Sequence, residues 1–190
     1  MNKFYEEIEI KDEVTLKSLD AIVSTINYDT KNVMKELFRP EITKEYALSR
    51  VSQKALDEIK KEDRSVATLD CNLYKFDNIN IDFLHKIISR YLAGRNIKGM
   101  GVSGRIWYPE NGFMGWHTNS NSHGLRMYCT FAREDNKSFF RYCDPETNEV
   151  VTSWDKQGWN FRIFKISEKH LWHSVYSETD RFSIGYTLKL

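Results

Sequence analysis

The chain has 190 residues and a net charge of +1, with 29% charged and 41% hydrophobic residues. That length suits one domain with a substantial core, and near-neutrality argues against the broad basic surface that nucleic acid or an anionic membrane selects. The charged start "MNKFYEEIEIKDE" lacks the apolar run of a secretory leader, no segment approaches a membrane span, and Cys71, Cys129 and Cys143 lack metal-type spacing, so reduced thiols in a cytoplasmic protein are expected.

Taken in chain order, the first half reads as helical. "TLKSLDAIVSTINY" places Leu16, Leu19, Val23 and Ile26 on one stripe, with Thr15 as a cap. "TKEYALSRVSQKALDEIKKED" starts at Thr43 and carries Ala47, Val51, Ala55 and Ile59 at every fourth position, which predicts one long helix. "SVATLDCNLYKF" suits a strand or two. "NIDFLHKIISRYLAG" is a third helical stretch, capped by Asn80 and ended by Gly94 in a left-handed conformation. His85 belongs to it as an ordinary helix residue.

After Gly99 the pattern changes to strands. "GVSGRIWY", "GLRMYCTFA", "KSFFRYCD", "EVVTSWD", "NFRIFKI" and "RFSIGYTLKL" are short, rich in β-branched and aromatic residues, and separated by Gly, Pro, Asn and Asp. "CDPETNEVV" and "DKQGW" read as turns. The segment from Tyr108 to Phe131 that contains "NGFMGWHTNSNSHG" looks loop-rich. The expected architecture is α+β in a single domain spanning 1–190: helical support over 1–95, and a sandwich or jelly roll over 96–190.

His117 and His173 are the residues that suggest chemistry. A mononuclear metal site for oxygen activation commonly uses two histidines and a carboxylate on one face. "His117-Thr118-Asn119" has ligand-type spacing, and His173 can supply the distant partner. Arg181 and Ser183 follow at positions that share one side of a strand, and a guanidinium with a hydroxyl suits a carboxylate. His123 reads as a loop residue and His170 as structural, since it faces away from His173 on a strand.

The pattern "His-x-Asn … His-x-Val-x-x-x-x-x-Arg-x-Ser" resembles the iron(II)- and 2-oxoglutarate-dependent oxygenases. "Arg105-Ile106-Trp107-Tyr108-Pro109" before "Gly115-Trp116-His117" is similar to the strand and loop that lead into the first histidine of that superfamily. The resemblance covers roughly residues 95–190. It implies a double-stranded β-helix of the cupin-like kind with supporting N-terminal helices. It also implies iron(II) on His117 and His173, 2-oxoglutarate held by Arg181 and Ser183, and dioxygen as the oxidant. Asn119 stands where the superfamily has Asp or Glu, and an amide oxygen is a weaker, neutral ligand. The run "HTNSNSHGLRM" is similar to the aspartyl/asparaginyl β-hydroxylase branch, which works with two histidines. That likeness implies a cosubstrate-binding role for Arg126, and Tyr128 shares its strand face.

Trp107, Tyr108 and Trp116 flank the expected site as core aromatics or as pocket walls. The function implied is hydroxylation of a C–H bond, with an Asp, Asn or Pro side chain of a peptide as the first expectation, and a nucleobase or small metabolite as alternatives. The rival is a jelly-roll binding module that holds a carboxylate ligand without turnover, which Asn119 favours.

Overall fold

The helices begin where a side chain stands in for a missing hydrogen-bond partner. In the computed structural model, which describes residues 4–25, 34–62, 70–76, 81–119, 123–166 and 170–190, Asp12 caps helix α1 (Glu13–Ser24) by accepting from Thr15 N. The expected cap, Thr15, is thus the donor. The long periodic stretch after Thr43 is two helices, α2 (Lys44–Arg50) and α3 (Gln53–Lys61). Thr43 caps the first; Ser52 caps the second by accepting from Ala55 N, so a new helix start is satisfied where one helix was expected to continue. Helix α4 (Asp82–Tyr91) follows Ile81 without a side-chain cap. The expected cap, Asn80, lies outside the described residues. Gly94 adopts φ +87°, the left-handed conformation that glycine allows at low cost.

Among the described residues there are twelve strands, in chain order: β1 (Tyr5–Ile8), β2 (Met34–Glu36), β3 (Cys71–Asn72), β4 (Tyr74–Phe76), β5 (Gly99–Tyr108), β6 (Gly112–His117), β7 (Gly124–Ala132), β8 (Ser138–Cys143), β9 (Val150–Trp154), β10 (Gly158–Ile166), β11 (His173–Ser177) and β12 (Arg181–Lys189). They form a seven-stranded sheet, β1-β10-β7-β12-β5-β4-β2, and a five-stranded sheet, β3-β6-β11-β8-β9. Adjacent strands in both sheets pair antiparallel. From β5 onward the chain crosses between β10-β7-β12-β5 in one sheet and β6-β11-β8-β9 in the other at every step except the β8–β9 hairpin, a jelly-roll-like arrangement. The N-terminal region is more than helical support, because β1, β2 and β4 extend the first sheet and β3 the second.

Alternation along each strand divides the cores. On β12, Phe182, Ile184, Tyr186 and Leu188 pack with Leu19 and Ile22 of α1 and Leu84, Ile87 and Ile88 of α4. The intervening Arg181, Ser183 and Gly185 face a cavity on the other side of the sheet. Tyr108, Phe140, Phe164 and Val175 form the apolar layer between the sheets. On the outer face of the second sheet, Ala47 and Val51 pack with Phe113 and Tyr176, and Ala55 and Leu56 with Trp116 and Trp172. Among the described residues, no helix is long and apolar enough to cross a membrane.

Candidate metal centre and anion site

Strand β6 is the part of the "loop-rich" segment that the sequence concealed. It pairs with β11 so that His117 lies opposite His173 and Met114 opposite Val175. Two residues of β6, Gly115 and Trp116, therefore span the place of Ser174 alone. This bulge reverses the face of the strand. Met114 and His117, three positions apart, both line the cavity, while Trp116 between them faces the helices.

The two imidazoles are buried, with ring centroids 4.0 Å apart. His117 Nδ1 lies 2.9 Å from Gly115 O, and His173 Nδ1 lies 2.9 Å from Leu171 O. A carbonyl only accepts, so Nδ1 carries the proton in each ring and Nε2 keeps its lone pair. Burial lowers the pKa of His117, and burial reinforced by the neighbouring His117 ring pushes His173 well below the ordinary histidine value. Both rings are therefore neutral at pH 7, the form that ligates a metal. The same carbonyl contacts orient the rings, as outer partners of metal-bound histidines do.

Asn119 Nδ2 lies 3.2 Å from His173 Nε2, and the Asn119 side chain also hydrogen-bonds the Tyr128 hydroxyl. A rotated amide would turn Oδ1 toward the same lone pair. Among the described residues, no group of three His, Cys, Asp or Glu side chains could hold a metal. Two neutral nitrogen donors with one amide beside them fit a divalent first-row metal, iron among them, held with few protein ligands.

The cavity next to these rings measures about 600 Å³, and its walls include His117, Asn119, Tyr128, His173, Arg181 and Ser183. Tyr108 and Arg126 also line it; Trp107 and Trp116 do not. Trp107 stacks on Tyr74 at 4.7 Å and donates from Nε1 to Asp180, on the face opposite Tyr108. Trp116 is fully buried and donates from Nε1 to Ser52 O. Both tryptophans pack the shell, because strand alternation at β5 and the bulge in β6 turn them outward. Arg126 lies on β7 opposite Thr187, whereas Arg181 lies opposite Ala132. Their main-chain positions are six residues apart along the strand, about 20 Å, with Tyr128 between them, so they enter the cavity from different ends. His85 is half-buried, and His123 and His170 are exposed.

Arg181 is 1% exposed and its guanidinium lies 5.2 Å from the centre of the Tyr108 ring. Its Nε donates to Asp155 Oδ2 at 2.8 Å and its Nη2 to Thr130 Oγ1 at 3.4 Å. Thr130 Oγ1 is also 3.4 Å from Ser183 Oγ. On its other oxygen, Asp155 accepts from Arg162 Nη1 at 2.5 Å. Asp155, Arg162 and Thr130 were not singled out from the sequence. Asp155 sits in what reads as an ordinary turn, and the usable signal was Arg162, a lone charge on the inward alternation of "NFRIFKI".

Burial would raise the Asp155 pKa, but Arg181 and Arg162 overcome it and hold the carboxyl down at about 2, against an ordinary 3.8. The folded state therefore gives up this proton more readily than the unfolded chain. The stability so gained is complete above pH 3.8 and is lost as pH falls toward 2. Acid titration of the melting temperature is expected to show a drop in that window which Asp155→Asn lacks. Parallel curves for the two proteins would show that another group carries the transition.

No family model matches the chain, and no curated protein matches it. Among solved structures, it is similar to a prolyl-4-hydroxylase from Pseudomonas putida, at 12% identity and a TM-score of 0.48, over 90% of this chain and 99% of that one. It is also similar to an oxidoreductase of the 2OG-Fe(II) oxygenase family from Burkholderia pseudomallei, at 10% identity and a TM-score of 0.45, over 82% of this chain and 84% of that one.

Proposed function

We propose that the chain is an iron(II)- and 2-oxoglutarate-dependent oxygenase built on a double-stranded β-helix. The observation that carries this reading is the opening of two neutral imidazoles and an oriented Arg181–Ser183 pair onto one cavity. His117 and His173 would hold the iron, with Asn119 or water beside them. Arg181 and Ser183 would hold the distal carboxylate of 2-oxoglutarate through charge-assisted and neutral hydrogen bonds. When bound, iron and 2-oxoglutarate supply oxidation of a C–H bond by dioxygen, with succinate and carbon dioxide as the coproducts.

The protein's own contribution is orientation and dryness. Gly115 and Leu171 carbonyls fix the histidine tautomers. Tyr128 holds Asn119 beside His173. Tyr108, Met114 and Val175 supply cavity wall that excludes water. The substrate proposed is an Asp, Asn or Pro side chain of a peptide in the cytoplasm. A second reading, a carboxylate-binding module without turnover, is favoured by Asn119 alone, since the neutral amide replaces a charged ligand.

Calorimetry with manganese(II) and then 2-oxoglutarate under anaerobic conditions, followed by succinate formation with iron(II) and air, separates the two. Metal-dependent binding of 2-oxoglutarate with succinate release supports the oxygenase; binding without succinate supports the module. In the same assay Asn119→Asp is expected to tighten metal binding, about tenfold, by adding a charged oxygen at the position 3.2 Å from His173 Nε2. Unchanged or weaker affinity would show that this side chain does not face the metal.

A further inference from the structure

We infer that Asp155 is a positioning residue of the anion site: buried between two arginines, it fixes which edge of Arg181 meets the distal carboxylate of the cosubstrate. This rests on the oxygenase reading above. Asp155 is fully buried just after β9, and Arg162 and Arg181 are 2% and 1% exposed. Its Oδ2 accepts from Arg181 Nε at 2.8 Å and from Ser138 Oγ at 2.5 Å. Its Oδ1 accepts from Arg162 Nη1 at 2.5 Å.

A guanidinium offers a carboxylate either its Nε side or the edge formed by its two terminal nitrogens. With Nε committed to Asp155, the terminal edge is the one left for a ligand, since Nη2 gives Thr130 Oγ1 only one of its two hydrogens, at 3.4 Å. The rotamer is ordered at folding, so binding need not order it again. Charge is matched as well. Within the buried part of the network, two arginines and one aspartate leave a single positive charge, which suits one carboxylate; the exposed Glu7 reaches Arg162 only through the Tyr5 and Ser153 hydroxyls.

The arrangement continues outward. Arg162 Nε donates to Tyr5 Oη at 3.0 Å and to Ser153 Oγ at 2.9 Å. Both hydroxyls donate to Glu7 Oε1, at 2.7 Å and 2.5 Å. Alternating charges, Glu7, Arg162, Asp155 and Arg181, thus run from β1 at the surface to the cavity. Without Asp155, Arg162 and Arg181 would be two buried cations with no shared anion.

The test compares 2-oxoglutarate with 2-oxobutyrate, a 2-oxo acid without the distal carboxylate, on the full chain loaded with manganese(II). Asp155→Asn is expected to weaken 2-oxoglutarate binding about ten- to a hundredfold, the loss of an oriented charged hydrogen bond. Binding of 2-oxobutyrate and of manganese is expected to stay within about twofold of wild type, which general structural damage would not allow. Ser138→Ala removes one donor to the same Asp155 oxygen without moving any charge. It is expected to lower 2-oxoglutarate affinity by a few fold with the same selectivity, and it serves where Asp155→Asn does not fold.

Equal weakening of both acids overturns the inference and leaves the oxygenase reading standing. Tighter 2-oxoglutarate binding in Asp155→Asn also overturns it, because Asp155 would then act by neutralising Arg181 instead of aiming it. A wild type that binds metal but neither acid overturns the oxygenase reading, and this inference with it.

Discussion

Replacing His117 or His173 with alanine is expected to abolish most metal binding. Each ring supplies one of two nitrogen donors, and among the described residues no third His, Cys, Asp or Glu stands with them to compensate. Changing a residue that merely orients a metal ligand costs about 10- to 100-fold in affinity. Losing the ligand itself therefore costs more than about 100-fold. Because His173 is fully buried against Phe140 and Phe164, with ring centroids at 5.6 and 5.3 Å, its removal also leaves a cavity. Glutamine at either position controls for this by keeping volume and removing the imidazole. Calorimetric titration with manganese(II) is the measurement. Wild-type affinity in both alanine variants would show that the paired rings are not a metal centre.

The second large effect is expected at Arg181. A carboxylate that loses a charge-assisted partner in a desolvated site loses on the order of 2–4 kcal/mol, which is roughly one to three decades of affinity. Arg181→Ala is therefore expected to weaken 2-oxoglutarate binding by that range while metal binding persists, since Arg181 is no ligand. The structure adds a consequence for stability. Arg181 is one of two cations that hold Asp155 in the interior, so its removal leaves that carboxylate with Arg162 alone, and the melting temperature should fall. Lysine at 181 keeps a charge near Asp155 but cannot reproduce the fork, and should restore part of the affinity. Ser183→Ala removes a neutral hydroxyl and should cost only about 1 kcal/mol. Unaltered 2-oxoglutarate affinity in Arg181→Ala would move the anchor to another cation, with Lys75, Arg105 and Arg126 the other candidates on the cavity wall.

Much of this arrangement is legible in the sequence because it follows from local rules. The period-two alternation of "RFSIGYTLKL" separates Phe182, Ile184 and Tyr186 from Arg181 and Ser183, and the structure puts the first set under the helices and the second on the cavity. Thr43 caps a helix and Gly94 turns left-handed as expected. The break at Ser52 was hidden, because the apolar spacing of Ala47, Val51, Ala55 and Ile59 continues across it while Ser52 offers a second cap. Strand β6 was hidden by its glycines and its short length.

What the sequence determined by itself is therefore an inventory: most of the strands after Gly99, the apolar faces they carry, and two histidines, an arginine and a serine whose spacing suggests a metal and a carboxylate. Tertiary structure alone decided which of them meet. His117 reaches His173 because β6 and β11 pair in one register, and the bulge at Gly115 and Trp116 turns His117 inward and Trp116 outward. Asp155 reaches Arg181 because the chain returns through β10 and β11 before β12 begins. Periodicity and caps act over a few neighbouring residues, so they can be read in order along the chain. Register between distant strands is set by the whole core, and a shift of one residue would send each side chain to the opposite face.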